Sequence, residues 1–355
     1  MIIIPAIYIL FQLIILVGYL KFISAPSRVS DKTKISVITA AKNETHIIRN
    51  FISSIRNLNY PRENFELVIV DDNSVDETYN LVSDFVKQDN NIRIIKAGNK
   101  LLPSKRGALL KGIENSIFNH IVITDADCNP SSGWLKSYSA MFEKGNEFVF
   151  SPAPFYQEKN TINNVSCIEN LRNQYLSFSL TRYKCPYTAA ARNLGFSKEA
   201  FMRIGGFTNT LDSLSGDDDL LLREAVKNKL KVKAFFDKDA LVYSFTKKNM
   251  GDYLNQRARH TQSSLHYLVR HKILLGFWHI LNLFMFFSPV LMFINFDFIW
   301  AFLIKMITDT VIFHSVQKSF NYRFNTFQIF FLNMIYEIFI VLNFFNSFFR
   351  RVEWE

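Results

Sequence analysis

"HIVITDADC", residues 120–128, sets a short apolar, β-branched run directly before two carboxylates one residue apart. Such a run, bounded by polar residues, reads as a buried strand giving way to a loop. Asp commonly ends strands and caps helices, so a solvated turn would explain one acid there. It does not explain two behind a wholly apolar strand, because like charges this close repel. A hard cation does: Mg²⁺ and Mn²⁺ take oxygen ligands, usually one or two carboxylates together with the substrate's phosphates. Asp125 and Asp127 are therefore candidate metal ligands, and the implied ligand is a phosphate ester. No G-x-x-x-x-G-K-[ST] stretch occurs, which points away from a P-loop nucleotidase.

Working outward, the same kind of strand recurs in alternation with helical spacing. "KISVITAA" (34–41) and "FELVIVDD" (65–72) are apolar and β-branched. Between them "ETHIIRNFISSIRNL" (44–58) places Ile47, Ile48, Phe51, Ile55 and Leu58 on one helical face. "DETYNLVSDFVKQ" (76–88) predicts a helix, "IRIIKA" (92–97) a strand and "SKRGALLKGIENS" (104–116) a helix before the opening stretch. Strict alternation of buried strands with helices predicts an α/β fold with a parallel sheet covered on both faces. Ligands of such sheets bind beyond the carboxyl ends of the strands, and the acids fall there: Asp71 and Asp72 after one run, Asp125 and Asp127 after the other. Asp76 reads as an ordinary turn residue.

Composition adds a membrane. The chain has 355 residues, of which 49% are hydrophobic and 36 are Phe, heavy for a wholly soluble protein. Residues 1–20 carry no charge and are followed by Lys21, Arg28, Lys32 and Lys34, the pattern of an uncleaved N-terminal anchor (1–24) rather than a signal peptide. Residues 273–296 lack Asp, Glu, Lys and Arg, and 326–349 contain only Glu337. The stretch 298–313 is less clear. Its Lys305 and Asp309, four apart, fit one helical face inside a bundle or a helix lying in the interface, giving a C-terminal membrane domain (273–349) of two or three helices. Three C-terminal spans place Lys318 and Arg323 in the cytoplasm and Arg350 and Arg351 outside; two do the reverse.

The basic flanks predict that the soluble part is cytoplasmic, on a membrane of the bacterial inner type. A net charge of +10 suits a face against anionic headgroups. No zinc-finger spacing, helix-turn-helix pattern or RNA-binding aromatic signature accompanies that charge, which argues against nucleic acid as the partner. Cys128, Cys167 and Cys185 are odd in number, lack metal spacing, and fit packing in a reducing compartment.

"VITAAKNE", "VIVDDNSVDET", "SKRGALLKGI", "ITDADC", "SGDDDLLLREA" and "QRARH" follow, in order and spacing, the motif series of family 2 glycosyltransferases over residues 34–262. The terminal anchors resemble those of membrane members such as ceramide glucosyltransferases, polyprenyl-phosphate sugar synthases and polysaccharide synthases. The resemblance implies a GT-A fold, a Rossmann-like mixed sheet, and an inverting transfer from a nucleotide sugar. It implies that Ala40, Asn43, Glu44 and Asp72 hold the nucleotide, with the acid typically facing a uracil, and that Lys105 and Arg106 meet the diphosphate. Asp127 becomes the direct ligand of the Mg²⁺ or Mn²⁺, with Asp125 shared between metal and ribose. Asp218 aligns with the family's catalytic base, with Asp217 beside it and Asp219 placed to cap the following helix. Gln256 and Arg259, three apart on one helical face, match the Q-x-x-R-W motif that closes over the diphosphate and acceptor. His260 replaces its Trp, which favours a single transfer over processive synthesis.

The expectation is a membrane-anchored, metal-dependent glycosyltransferase moving one sugar, from a UDP-linked donor, to a lipid or lipid-linked acceptor. Its rivals are a processive polysaccharide synthase and a non-catalytic membrane scaffold that keeps the fold.

Overall fold

The computed structural model describes residues 3–25, 28–213 and 215–349. The first two residues of the expected anchor, and Arg350 and Arg351 of the charge argument, lie outside them. The described residues fall into two units, one built from 25–153 and 188–245, the other from 3–24, 154–187 and 246–349.

The first unit carries the sheet. Its strands are β1 (Ile35–Ala41), β2 (Phe65–Asp71), β3 (Ile92–Lys96), β4 (His120–Ile123), β5 (Asn129–Pro130), β6 (Phe148–Phe150), β7 (Leu194–Ser197), β8 (Val232–Ala234) and β9 (Val242–Tyr243). Seven form one sheet in the order β3-β2-β1-β4-β7-β6-β8, and β5 pairs with β9 apart from it. The half that alternates with helices is parallel: β1 runs beside β2 from Ile35↔Phe65 to Ala41↔Asp71, and beside β4 from Ile35↔His120. All seven residues of β2 are buried, as expected of a strand covered on both faces. The parallel run read from the alternating segments ends at β4, and the sheet beyond it is mixed, as the resemblance implies. There β7 pairs antiparallel with both β4 and β6. Gly112, on the helix Ser104–Glu114, explains how closely that helix lies on the sheet, since a Cβ there would stand 2.5 Å from Ile38 Cγ2 and 2.9 Å from Val70 Cγ2.

The second unit contains four helices long and apolar enough to cross a membrane: Ile3–Ile23, Val269–Leu291, Phe298–Phe320 and Thr326–Ser347. Three of them are C-terminal. Residues 154–187 and 246–262, inside the stretch 34–262 read as one domain, group with these helices. The reason is packing: the helix Thr161–Arg182 stacks Phe178 on Phe22 and sets Tyr175 against Tyr19 of the first apolar helix. Its Arg172 is buried, bonded to Asp309 at 3.1 Å, Glu337 at 2.8 Å and Asn333 at 2.8 Å. Lys305 lies 2.7 Å from Asp309 and 2.8 Å from Glu337. Of the two readings of Lys305 and Asp309, the structure has the pair inside the bundle, each fully buried, with Tyr8 and Gln12 completing the shell around Asp309. Two cations set against two carboxylates balance the charge, which makes such burial tolerable in an apolar surrounding.

Candidate active site

Past its last paired residue, Ile123, β4 continues through buried Thr124 into a tight turn in which the Cys128 N–H donates to the Asp125 carbonyl at 3.2 Å. That turn gathers three potential ligand atoms. One oxygen from each of Asp125 and Asp127 and the Cys128 sulfur lie within 4.8 Å of one another. The thiol is buried and donates to Asp127 Oδ1 at 3.4 Å, so Cys128, read from sequence as packing, belongs to this cluster. Burial and then repulsion from Asp125 push the Asp127 carboxyl above its usual range, against the pull of Arg192 and Lys105. Two carboxylate oxygens held against each other fit a hard divalent cation.

Lys105, in the first turn of the helix Ser104–Glu114, ion-pairs with Asp125 and stands 4.0 Å from Asp217. Burial would lower its ammonium, but the attraction of Asp125 and Asp217 outweighs that and holds it above the ordinary lysine value. Arg106 takes a different direction from the diphosphate role implied by resemblance. It is buried, and its guanidinium donates to the carbonyls of Thr210 and, at 2.7 Å, Ser213. In this geometry it anchors the loop leading to the acidic triplet.

The triplet opens the helix Asp219–Lys227. The cap expected of Asp219 belongs to Asp218, whose Oδ1 accepts the Asp219 N–H at 2.7 Å and whose Oδ2 accepts the Ala191 N–H at 2.9 Å. Asp219 turns instead to the Thr188 hydroxyl and the Ala189 N–H. Burial first, then repulsion from Asp219 and Asp217, raises the Asp218 carboxyl well above its usual range, only partly offset by those N–H donors. Perturbed carboxyls cluster at functional sites, which makes Asp218 a candidate for proton transfer. The segment "TAAARN" (188–193) is the scaffold of this triplet. Asn193 ties it down by accepting from Trp134 Nε1 and Tyr138 Oη, both at 2.9 Å, and donating to the carbonyls of Pro152 and Ala240.

The remaining nucleotide-side residues sit at the carboxyl ends of β1 and β2. Ala40 is half-buried near the end of β1. Asn43 is left-handed, with φ of 57°, and its side chain accepts the Val75 N–H at 2.9 Å, while the Glu44 N–H donates to Thr78 Oγ1 at 2.8 Å. Asp76 buttresses the same loops. Slight burial is outweighed there by hydrogen bonds from Thr45 and Thr78, which pull its carboxyl down to about 2. Asp72 is buried and paired with Lys100 at 2.7 Å, a partner no sequence pattern flagged. Gln256 and Arg259 lie on the helix Met250–Ser264 of the other unit, both partly exposed. On that helix Arg257, which the motif passes over, pairs with Glu169 at 3.1 Å.

Three comparisons bear on this arrangement. The family described as glycosyl transferase family 2 matches residues 36–205. The beta-monoglucosyldiacylglycerol synthase of Nostoc sp. is 28% identical over 110 residues, 31% of this chain and 24% of that protein. The poly-beta-1,6-N-acetyl-D-glucosamine synthase of Staphylococcus epidermidis is 29% identical over 93 residues, 26% of this chain and 21% of that protein. The chain thus spans about a quarter of the length of these relatives. Among solved structures, a mannosyltransferase from Pyrobaculum calidifontis, in complex with GDP-Man and Mn²⁺, superposes with a TM-score of 0.60 over 98% of this chain and 97% of its own, at 16% identity. That likeness establishes the GT-A fold, and over residues 36–205, from β1 past β7, the chain is similar to glycosyl transferase family 2.

Proposed function

We propose that the protein is an inverting glycosyltransferase that moves one sugar from a UDP-linked donor to a lipid or lipid-linked acceptor at the cytoplasmic face of a membrane. The observation that carries this reading is the convergence, within one unit, of the Asp125–Asp127 pair with Lys105 and of Asp217 and Asp218. Relatives acting on a diacylglycerol lipid, together with four apolar helices in this chain, support the lipid acceptor.

Asp127 and Asp125 would hold the Mg²⁺ or Mn²⁺, with Cys128 at the edge of the donor set. When bound, that ion supplies Lewis-acid stabilisation of the departing nucleoside diphosphate. Lys105, placed between Asp125 and Asp217, presents its ammonium to the same anionic group. Asp72, fixed by Lys100, and the loop of Ala40, Asn43 and Glu44 hold the nucleotide end. Asp218 removes the acceptor hydroxyl's proton as that oxygen attacks the anomeric carbon opposite the diphosphate, which inverts the configuration. Incubating the purified protein with a panel of nucleotide sugars and a membrane lipid extract, and weighing the products, tests this. A lipid heavier by one sugar supports it, whereas a ladder of polymer would favour a processive synthase.

A further inference from the structure

A cavity of about 520 Å³ opens where the third apolar helix ends and the fourth begins, lined by His314, Lys318, Asn321, Tyr322, Arg323 and Asn325 among others. No Asp or Glu lines it. Among the described residues, neither the Lys318 ammonium nor the Arg323 guanidinium has an ion-pair partner. Elsewhere in the same unit the cations Arg172, Lys305 and Arg257 are all neutralised by carboxylates. The shape of the cavity is fixed from beneath. Buried Gln317 donates to the Phe324 carbonyl and accepts its N–H, at 2.9 and 2.8 Å, while left-handed Asn321 turns the chain between the two cations. Tyr322, also buried, accepts the Phe155 N–H at 3.0 Å. A braced hollow with two unneutralised cations and amide and imidazole groups, at the junction of two membrane-spanning helices, suits a phosphate group. Lys supplies a point charge, Arg a planar fork for phosphate oxygens.

We propose that this cavity binds the phosphate of an anionic phospholipid headgroup, independently of the sugar-transfer site. Its position at helix ends puts it at headgroup depth, and cations near an anionic leaflet are attracted strongly enough to be measured one by one. The ligand chemistry, a phosphate ester, is shared with soluble phosphates, so the test needs both. Full-length protein in detergent is titrated with phosphatidylglycerol or with inorganic phosphate, and bound lipid is counted by native mass spectrometry alongside melting temperature. Both cations are exposed, so Lys318→Gln and Arg323→Gln leave the fold intact. Each should weaken phosphatidylglycerol retention about fivefold and the pair about thirtyfold. A charge-matched control, Lys247→Gln with Lys248→Gln, should leave it unchanged. Stabilisation of the wild type, but not of the double variant, by inorganic phosphate alone would assign the site to a soluble phosphate. If the double variant and the control retain lipid equally and phosphate stabilises neither above the other, the cavity is not a phosphate site.

Discussion

Asp218 holds two properties that pull against each other. Its raised carboxyl suits a base working near neutrality, since proton transfer is most efficient when the catalytic group titrates close to the working pH. The same shift costs stability. A carboxyl that holds its proton more tightly when folded than when unfolded loses native stability as pH climbs from the ordinary carboxylate value through the raised one. Asp218→Asn keeps the acceptor oxygen for the Asp219 and Ala191 N–H groups and removes the charge. It should lower turnover by roughly 10²- to 10⁴-fold with little change in donor affinity, and melt higher than wild type at neutral pH, with the difference shrinking in acid. Initial rates, nucleotide-sugar titrations and melting curves across pH check all three. The wild-type rate should rise with pH as Asp218 deprotonates, a rise absent from the variant. Asp72→Ala should behave the opposite way, weakening donor binding first, because a nucleotide contact is made before and during the reaction alike. Candidates of this kind stood out in sequence as clusters of neighbouring acids, Asp125 with Asp127 and Asp217 with Asp218 and Asp219, whose mutual repulsion calls for a partner. Their partners did not. Nothing in the spacing of Lys100, 28 residues beyond Asp72, announces the 2.7 Å pair.

At the scale of elements, the periodic segments formed as read: strands at 35–41, 65–71 and 92–96 and helices at 48–56, 78–86 and 104–114 follow the apolar alternation closely. The reading failed where an element's environment is built by distant chain. The helix Thr161–Arg182 carries Asn163, Arg172 and Gln174 on buried faces, so its sequence shows no apolar stripe; the partners of Arg172 come from residues more than a hundred positions away. The antiparallel insertion of β7 was equally hidden, since a four-residue strand, Leu194–Ser197, gives little periodicity to read. The segment before β7 shows how much one polar residue can hold. Asn193 is fully buried and satisfies two donors and two carbonyls from three different segments. Asn193→Ala strands those groups without partners and should cost on the order of 3 kcal/mol, visible as a lower denaturation midpoint with an unchanged slope. Because residues 188–191 also support Asp218 and Asp219, the same substitution should reduce transfer more than it reduces donor binding.

For the molecule as a whole, the resemblance to family 2 glycosyltransferases, the GT-A fold and most of the apolar helices were present in the sequence as ordered motifs and apolar runs. The apolar helix Phe298–Phe320 was harder to read, because Lys305 and Asp309 interrupt its run until their burial beside Arg172 and Glu337 accounts for them. The topology argument predicts that a reporter fused after residue 272 reads as cytoplasmic, where nucleotide sugars are made. Labelling from the opposite side of the membrane would overturn both the orientation and the supply of donor. The central claim, cation-assisted inverting transfer to a lipid, meets its most direct test in the anomeric configuration of the product. Nuclear magnetic resonance of the sugar–lipid linkage, formed from an α-linked UDP-sugar with and without excess chelator, should reveal a β-linked product that disappears in chelator and returns with Mn²⁺ or Mg²⁺. A product of retained configuration, or undiminished transfer in chelator, would contradict it.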